Sequence, residues 1–280
     1  MTNHINRRNW LKQSSILAGG LPFAASLIST NWAKAAVSSP DKHEFISDRQ
    51  FAEWAPANLK ARLFANENPF GPSPKAKKAI IDAIDSSYQY PFMYISGLTE
   101  KIASFEGLKP ENILMASGSS PLLQAAAIYY TKPGCNIVTG ATTYEDLPTK
   151  ASHLGANWVK VPMTSDHKLD LVAIEKAVDS NTTLVYLVNP NNPTATMVDT
   201  AQLKGFCERV SKKTTVMIDE AYIDYLDNKE EVTMIDAVRK NQNVIVARTF
   251  SKLYGFAGLR VGYFVAAADH PKRKKIHQNP

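Results

Sequence analysis

At 280 residues, 44% hydrophobic and 21% charged, the chain has the composition of a globular protein able to bury a sizeable core, in one large domain or two small ones, and disorder is not its default reading. Much of its formal net charge of +6 sits at the two ends, with Arg7, Arg8, Lys12 and Lys34 near the start and Lys272, Arg273, Lys274 and Lys275 near the finish. The body between is close to neutral, so the basic balance points to no nucleic-acid partner.

The first 35 residues lack Asp and Glu and carry the Arg7-Arg8 pair, an apolar run from Ile16 to Ile28 and the small-residue pattern Ala33-Lys34-Ala35. These are the parts of an export signal. The stretch from Asn6 to Lys12 resembles the twin-arginine type, with Trp10 and Leu11 at the two apolar positions after the pair. Cleavage after Ala35 and a periplasmic location are therefore expected. The alternative is a membrane anchor, but Gly19, Gly20 and Pro22 break the run, which falls short of the ~20 apolar residues a spanning helix needs. No stable membrane span is expected. Twin-arginine export carries folded proteins, often with a cofactor seated, and so fits an enzyme loaded in the cytoplasm.

Residues 36–74 read as an irregular arm rich in Ser, Pro and Asn, ending in Asn66-Glu67-Asn68-Pro69-Phe70-Gly71-Pro72. A helix is expected after Pro74, where Ala76, Ala79, Ile80, Ala83 and Ile84 share a face, and a second from Leu98 to about Phe105, with Tyr88-Gln89-Tyr90-Pro91 as a loop between them. Short apolar runs then recur at Ile113-Leu114-Met115, Ile137-Val138, Leu184 to Val188, Val216-Met217-Ile218 and Val244 to Ala247, separated by amphipathic stretches. Strands alternating with helices predict an α/β large domain over residues 75–268 around a mostly parallel sheet, with 269–280 as a basic tail. Such sheets place ligand sites just beyond the C-terminal ends of their strands.

Four segments fall there: Gly118-Ser119-Ser120-Pro121, Asn189-Pro190-Asn191-Asn192-Pro193-Thr194, Asp219-Glu220-Ala221-Tyr222 and Thr249-Phe250-Ser251-Lys252. Gly-Ser-Ser with Pro entering a helix exposes backbone N–H groups suited to a phosphate, although the same residues also serve as an ordinary helix cap. Asp219 ends an apolar strand, where an ionised carboxylate costs several kcal/mol unless a cation or hydrogen-bond donor meets it. Lys252 precedes a Gly-rich apolar segment ending in Gly258-Leu259-Arg260; taken alone, a lysine is an ordinary surface residue.

In order and spacing, the four segments and Arg260 resemble the fold-type I pyridoxal-phosphate (PLP) dependent aminotransferases, class I/II, and in particular the histidinol-phosphate aminotransferase branch, over roughly Asn66 to Ala266. The resemblance implies a three-layer PLP-dependent transferase large domain. It implies Lys252 as the Schiff-base lysine, Asp219 as partner of the pyridine nitrogen, Asn192 and Tyr222 as donors to the ring 3-oxygen, and Tyr144 stacked on the ring. Ser119, Ser120, Ser251 and Arg260 would hold the phosphate, with Thr249 nearby, and Tyr90 resembles a tyrosine donated across a dimer interface. The arm from Asn66 to Pro72 resembles a segment lying over the substrate pocket. The implied activity is amino transfer between an amino acid or amino-phosphate substrate and a 2-oxo acid, by a homodimer.

The sequence departs from that pattern at Ala195, where the family usually has Gly, at Thr142 in place of Pro, and at Pro121 in place of an acidic residue. The family also continues into a C-terminal small domain of about 100 residues, which supplies an arginine for the substrate α-carboxylate; here that domain is expected to be largely absent. A truncated, catalytically incomplete PLP-binding remnant is thus a competing reading. A third, an α/β protein whose strand-end residues only cap helices and turns, requires five coincidences in order. Cys135 and Cys207 read as buried small hydrophobes, although an exported protein could pair them. The six scattered His residues predict no metal site, and there is no dinucleotide-binding Gly fingerprint.

Overall fold

The computed structural model describes residues 65–268. The export signal, the arm up to residue 64 and the basic tail lie outside the described residues.

Among the described residues, fifteen α-helices and strands follow one another: α1 (Pro74–Ala83), α2 (Phe92–Phe105), β1 (Ile113–Ala116), α3 (Ser119–Tyr130), β2 (Asn136–Gly140), α4 (Asp146–His153), β3 (Asn157–Val161), α5 (Leu171–Ala177), β4 (Thr182–Val188), α6 (Thr200–Val210), β5 (Thr215–Asp219), α7 (Lys229–Val232), α8 (Ile235–Arg239), β6 (Val244–Thr249) and β7 (Gly262–Ala266). The strands form one sheet in the order β1-β7-β6-β5-β4-β2-β3. All neighbours from β6 to β3 pair in parallel, and β7 runs antiparallel to both β1 and β6.

The central strands are buried on both faces, so they read as apolar runs and not as alternating patterns. Their period of two still shows in what they touch. Val185, Leu187, Val216, Ile218, Val244 and Val246 join one core with Ile102 of α2, Ile174 of α5, Phe206 of α6 and Val238 of α8. Leu184, Tyr186, Met217, Ile245 and Phe264 join the other with Leu123 of α3 and Leu147 of α4. The result is a three-layer arrangement with helices on both faces of the sheet.

All five anticipated apolar runs are strands. Two strands, β3 and β7, were not anticipated as such. The helix expected after Pro74 is present and capped by Ser73, whose Oγ accepts from the Ala76 N–H at 3.2 Å. None of its residues is buried, however, so its apolar face does not contribute to the core of the described residues. α2 begins earlier than expected, at Phe92, directly after the Tyr88–Pro91 loop. Both cysteines are buried free thiols, and burial pushes that of Cys207 up to about 12. Among the described residues no helix is long and apolar enough to cross a membrane.

Candidate active site

The turn leaving β1 enters α3 through Gly118, whose φ of +87° lies in the region that favours glycine. A Cβ there would come within 2.3 Å of an Arg260 guanidinium nitrogen. Gly262 is equally constrained, since its Cβ would lie 2.5 Å from the Ser119 backbone nitrogen. These two glycines let the N-terminus of α3, β7 and Arg260 crowd together. Arg260 itself holds a left-handed φ of 56°, a conformation costing a non-glycine residue roughly 1–2 kcal/mol. Its Nη1 donates to the Ala257 carbonyl at 2.9 Å and faces Ser251 Oγ at 3.4 Å. Thr249 Oγ1 donates to Ser251 Oγ at 2.9 Å. First-turn helical N–H groups have no partner within the helix, so this corner gathers backbone donors, hydroxyls and a guanidinium into an anion cradle.

Across the cavity, Asp219 closes β5 with its carboxylate buried. Tyr186 O–H donates to Oδ2 at 2.9 Å and the Ala221 N–H donates to Oδ1 at 3.1 Å. Among the described residues no cation is in ion-pair contact with it. Burial raises its pKa to about 6, against the opposing pull of those two donors and of Lys252. Lys252, in the loop after β6, is affected in the reverse sense: burial lowers its pKa, while Asp219 and Glu67 resist. Its Nζ donates to the Asn66 carbonyl at 3.1 Å and lies 5.4 Å from the centre of the Tyr222 ring. Burial, then the charge of Asp146 and that of Asp219, raises the pKa of Tyr144, whose hydroxyl pairs with Ser120.

The loop after β4 is locked from within. Asn191 Nδ2 donates to the Thr142 carbonyl at 3.0 Å and to Thr194 Oγ1 at 2.7 Å, while the Thr143 hydroxyl donates to Asn191 Oδ1 at 3.1 Å. Ala195 within it has φ 55°, which accounts physically for glycine being the usual residue at this position.

These groups line one cavity of about 280 Å³, bounded by Ser119, Ser120, Tyr144, Asn192, Asp219, Tyr222, Thr249, Ser251, Lys252 and Arg260. Every anticipated site residue is therefore brought together except Tyr90, which is 84% exposed and lies outside the cavity wall. The cradle and the half-buried amine fit the phosphate and aldehyde of PLP. The buried carboxylate, with its lone pairs only partly used, fits a protonated ring nitrogen.

Three features went unread in the sequence. Asn66 Nδ2 donates to the Tyr222 hydroxyl at 2.8 Å and faces Asn192 Oδ1 at 3.5 Å. Tyr186 reaches Asp219 from the neighbouring strand. Behind the cavity, buried Arg248 donates through Nε to Glu220 Oε2 at 2.9 Å and through Nη2 to Thr233 Oγ1 at 3.0 Å, and its Nη1 is 3.7 Å from Glu106. In the sequence this network shows only as charged residues beyond the ends of two apolar runs, Glu220 after Val216-Met217-Ile218 and Arg248 after Val244 to Ala247, and that names no partner.

An α/β sheet with an anion cradle, a lysine and a buried carboxylate gathered at its strand ends defines a large domain built to hold a phosphorylated cofactor. The family model for aminotransferase class I and II matches residues 60–276, and the chain belongs to that family. It is 41% identical over 209 residues to the histidinol-phosphate aminotransferase of Moorella thermoacetica, covering 74% of this chain and 54% of that protein. It is 38% identical over 208 residues to the aromatic amino acid aminotransferase of Mycolicibacterium vanbaalenii, covering 74% and 59%. The crystal structure of histidinol-phosphate aminotransferase from Sinorhizobium meliloti in complex with pyridoxal-5'-phosphate superposes with a TM-score of 0.74 at 28% identity, covering 85% of this chain and 66% of that one. The chain thus spans little more than half the length of the two sequence relatives.

Proposed function

We propose that the chain is a PLP-dependent aminotransferase, moving an amino group between an amino acid, or an amine resembling histidinol phosphate, and a 2-oxo acid. The observation that carries this reading is the meeting of Lys252, Asp219 and the α3–Arg260 cradle in one cavity. PLP bound there supplies an aldehyde for amines and a ring that accepts the electrons released at the substrate Cα. Ser119, Ser120, Ser251 and Arg260 hold the phosphate, with Thr249 fixing the Ser251 hydroxyl. Asp219 would keep a proton on the ring nitrogen, Asn192 and Tyr222 would donate to the ring 3-oxygen, and Tyr144 would supply an aromatic face. Lys252 would hold the cofactor through its aldehyde, and its amine would serve as the base for the substrate Cα proton. Its lowered pKa favours the free amine this work requires.

The proposal includes export by the twin-arginine route to the periplasm, supported by the sequence of the first 35 residues. It also includes a homodimer. Tyr88, Tyr90, Phe92, Met93 and Tyr94 form a run of exposed large apolar side chains, the kind of surface that marks a protein interface.

One observation favours a second reading, a chain that binds PLP without completing amino transfer. Among the described residues lining the cavity, the cationic side chains are Lys252 and Arg260. With Arg260 on the phosphate, no arginine there remains for a substrate carboxylate.

The test uses the 280-residue chain and its Lys252→Ala variant, each mixed with PLP and followed by visible absorption before and after borohydride. The expected result is a reducible band in the wild type alone, followed by turnover of amino donors with a 2-oxo acid. A wild type without the band overturns the functional proposal; a band without turnover supports the second reading.

A further inference from the structure

The segment from Ala65 to Gly71 crosses the mouth of the cavity and is tied to the lysine loop. Asn68 Nδ2 donates to the Leu253 carbonyl at 2.7 Å. Asn68 Oδ1 accepts from the Phe70 N–H at 3.0 Å, closing a turn with the Gly71 N–H on the Asn68 carbonyl. Gly255 packs so closely on this turn that a Cβ would lie 2.4 Å from the Gly71 carbonyl carbon. These contacts fix where Asn66 stands, although its side chain is solvent-exposed.

From that position Asn66 reaches three groups assigned to the cofactor. Its NH2 donates to the Tyr222 oxygen at 2.8 Å and is directed at Asn192 Oδ1, 3.5 Å away, while its backbone carbonyl accepts from Lys252 Nζ at 3.1 Å. A tyrosine hydroxyl has one proton to give and lone pairs to receive, and an asparagine side chain has one accepting and one donating end. When Asn66 fills the accepting sides of both residues, the Tyr222 proton and the Asn192 NH2 remain for a ligand. The cavity wall then presents two donors side by side, the polarity that suits an anionic oxygen.

We propose that Asn66 is a positioning residue that sets the hydrogen-bond polarity of Asn192 and Tyr222, making them a paired donor site for the cofactor's ring oxygen. The inference rests on the PLP reading above and adds to it a residue with a defined electronic task. Asparagine can perform that task and aspartate cannot. A carboxylate of the same shape only accepts, so it would draw the Tyr222 proton and the Asn192 NH2 toward itself and leave accepting groups facing an anion.

The experiment measures PLP affinity, and the pH midpoint of the visible band of bound PLP, for the 280-residue chain with Asn66, Asn66→Ala and Asn66→Asp. Both variants change an exposed side chain, where substitutions usually leave stability almost unchanged. One ordinary hydrogen bond sets the scale: Asn66→Ala is expected to weaken PLP about threefold and Asn66→Asp at least about tenfold. Donors to the ring oxygen favour the deprotonated chromophore. The midpoint therefore moves upward in both variants, by about one pH unit in Asn66→Asp. Binding by Asn66→Asp as tight as by Asn66→Ala, or midpoints unmoved from wild type, overturns the inference while leaving the cofactor assignment standing. A wild type with no visible band overturns the cofactor assignment itself.

Discussion

Asp219 and Glu220 are adjacent in the chain and both carboxylates are buried, yet the fold provides for them in opposite ways. Glu220 points into the interior behind the cavity, where it meets Arg248, the Thr233 hydroxyl at 2.8 Å and the Met234 N–H at 2.6 Å. Asp219 points to the strand ends and, among the described residues, its hydrogen-bond donors are the neutral Tyr186 hydroxyl and Ala221 N–H, with Lys252 acting on it from a distance. Burial pushes both acids upward, and in Glu220 the Arg248 charge leads the opposition. The successive residues of one strand end thus divide into a member of a buried ion pair and a carboxylate that lines the cavity with neutral donors on it. An internal partner would have made Asp219 a structural residue as well.

Breaking the structural half should have the largest effect. Arg248→Ala leaves the Glu220 carboxylate buried without its cation, and removal of one partner of a buried pair costs about 3–5 kcal/mol. A urea midpoint lowered to match is the expected result, and a midpoint within about 0.5 kcal/mol of wild type would remove the contrast. In the ligand half the sign reverses. The folded chain binds the Asp219 proton more tightly than the unfolded chain does, because its pKa is about 6 against an ordinary 3.8. Its contribution to stability is fully present below pH 3.8 and is lost as the pH rises through 6. Asp219→Asn, which keeps an oxygen to accept from Tyr186, is therefore expected to stabilise the cofactor-free chain by about 1–3 kcal/mol at pH 7. It should make no difference near pH 3 and should weaken PLP binding. Denaturation at the two pH values separates these outcomes, and a destabilised variant at pH 7 would show that Asp219 holds the fold together. The smallest effect belongs to a residue touching neither acid. Ala195→Gly relaxes a left-handed backbone and should raise stability by up to about 1 kcal/mol without altering PLP affinity, measurable as a small rise in melting temperature.

The contrast between the two acids also marks how much could be read from the sequence. β2, β4, β5 and β6 are legible because burial on both faces writes them as apolar runs, and the edge strand β1 because its Ile113-Leu114-Met115 run is apolar as well. β3, an edge strand with only Val161 buried, carries no such run, whereas β7 is fully buried and does carry one, Tyr263 to Ala266, directly after the Gly-rich segment around Arg260. The helical period at α1 was legible, but its burial was not, since the period says which residues share a face and not what covers it. In the site, the lysine, the carboxylate and the cradle were legible because each follows a strand in a family order. Arg248 and Glu220 stand 28 positions apart, and Asn66 and Tyr222 156 apart. Pairings of that range are set by the packing of the sheet and leave no local pattern.

The central claim is that the half-buried amine of Lys252 bonds the cofactor. Borohydride reduction of the PLP-treated chain, digestion and peptide mass spectrometry test it most directly. The account predicts one pyridoxyl group per chain, on the peptide containing Lys252. A label spread over surface lysines, or a Lys252 peptide left unmodified while another lysine is labelled in full, would contradict it.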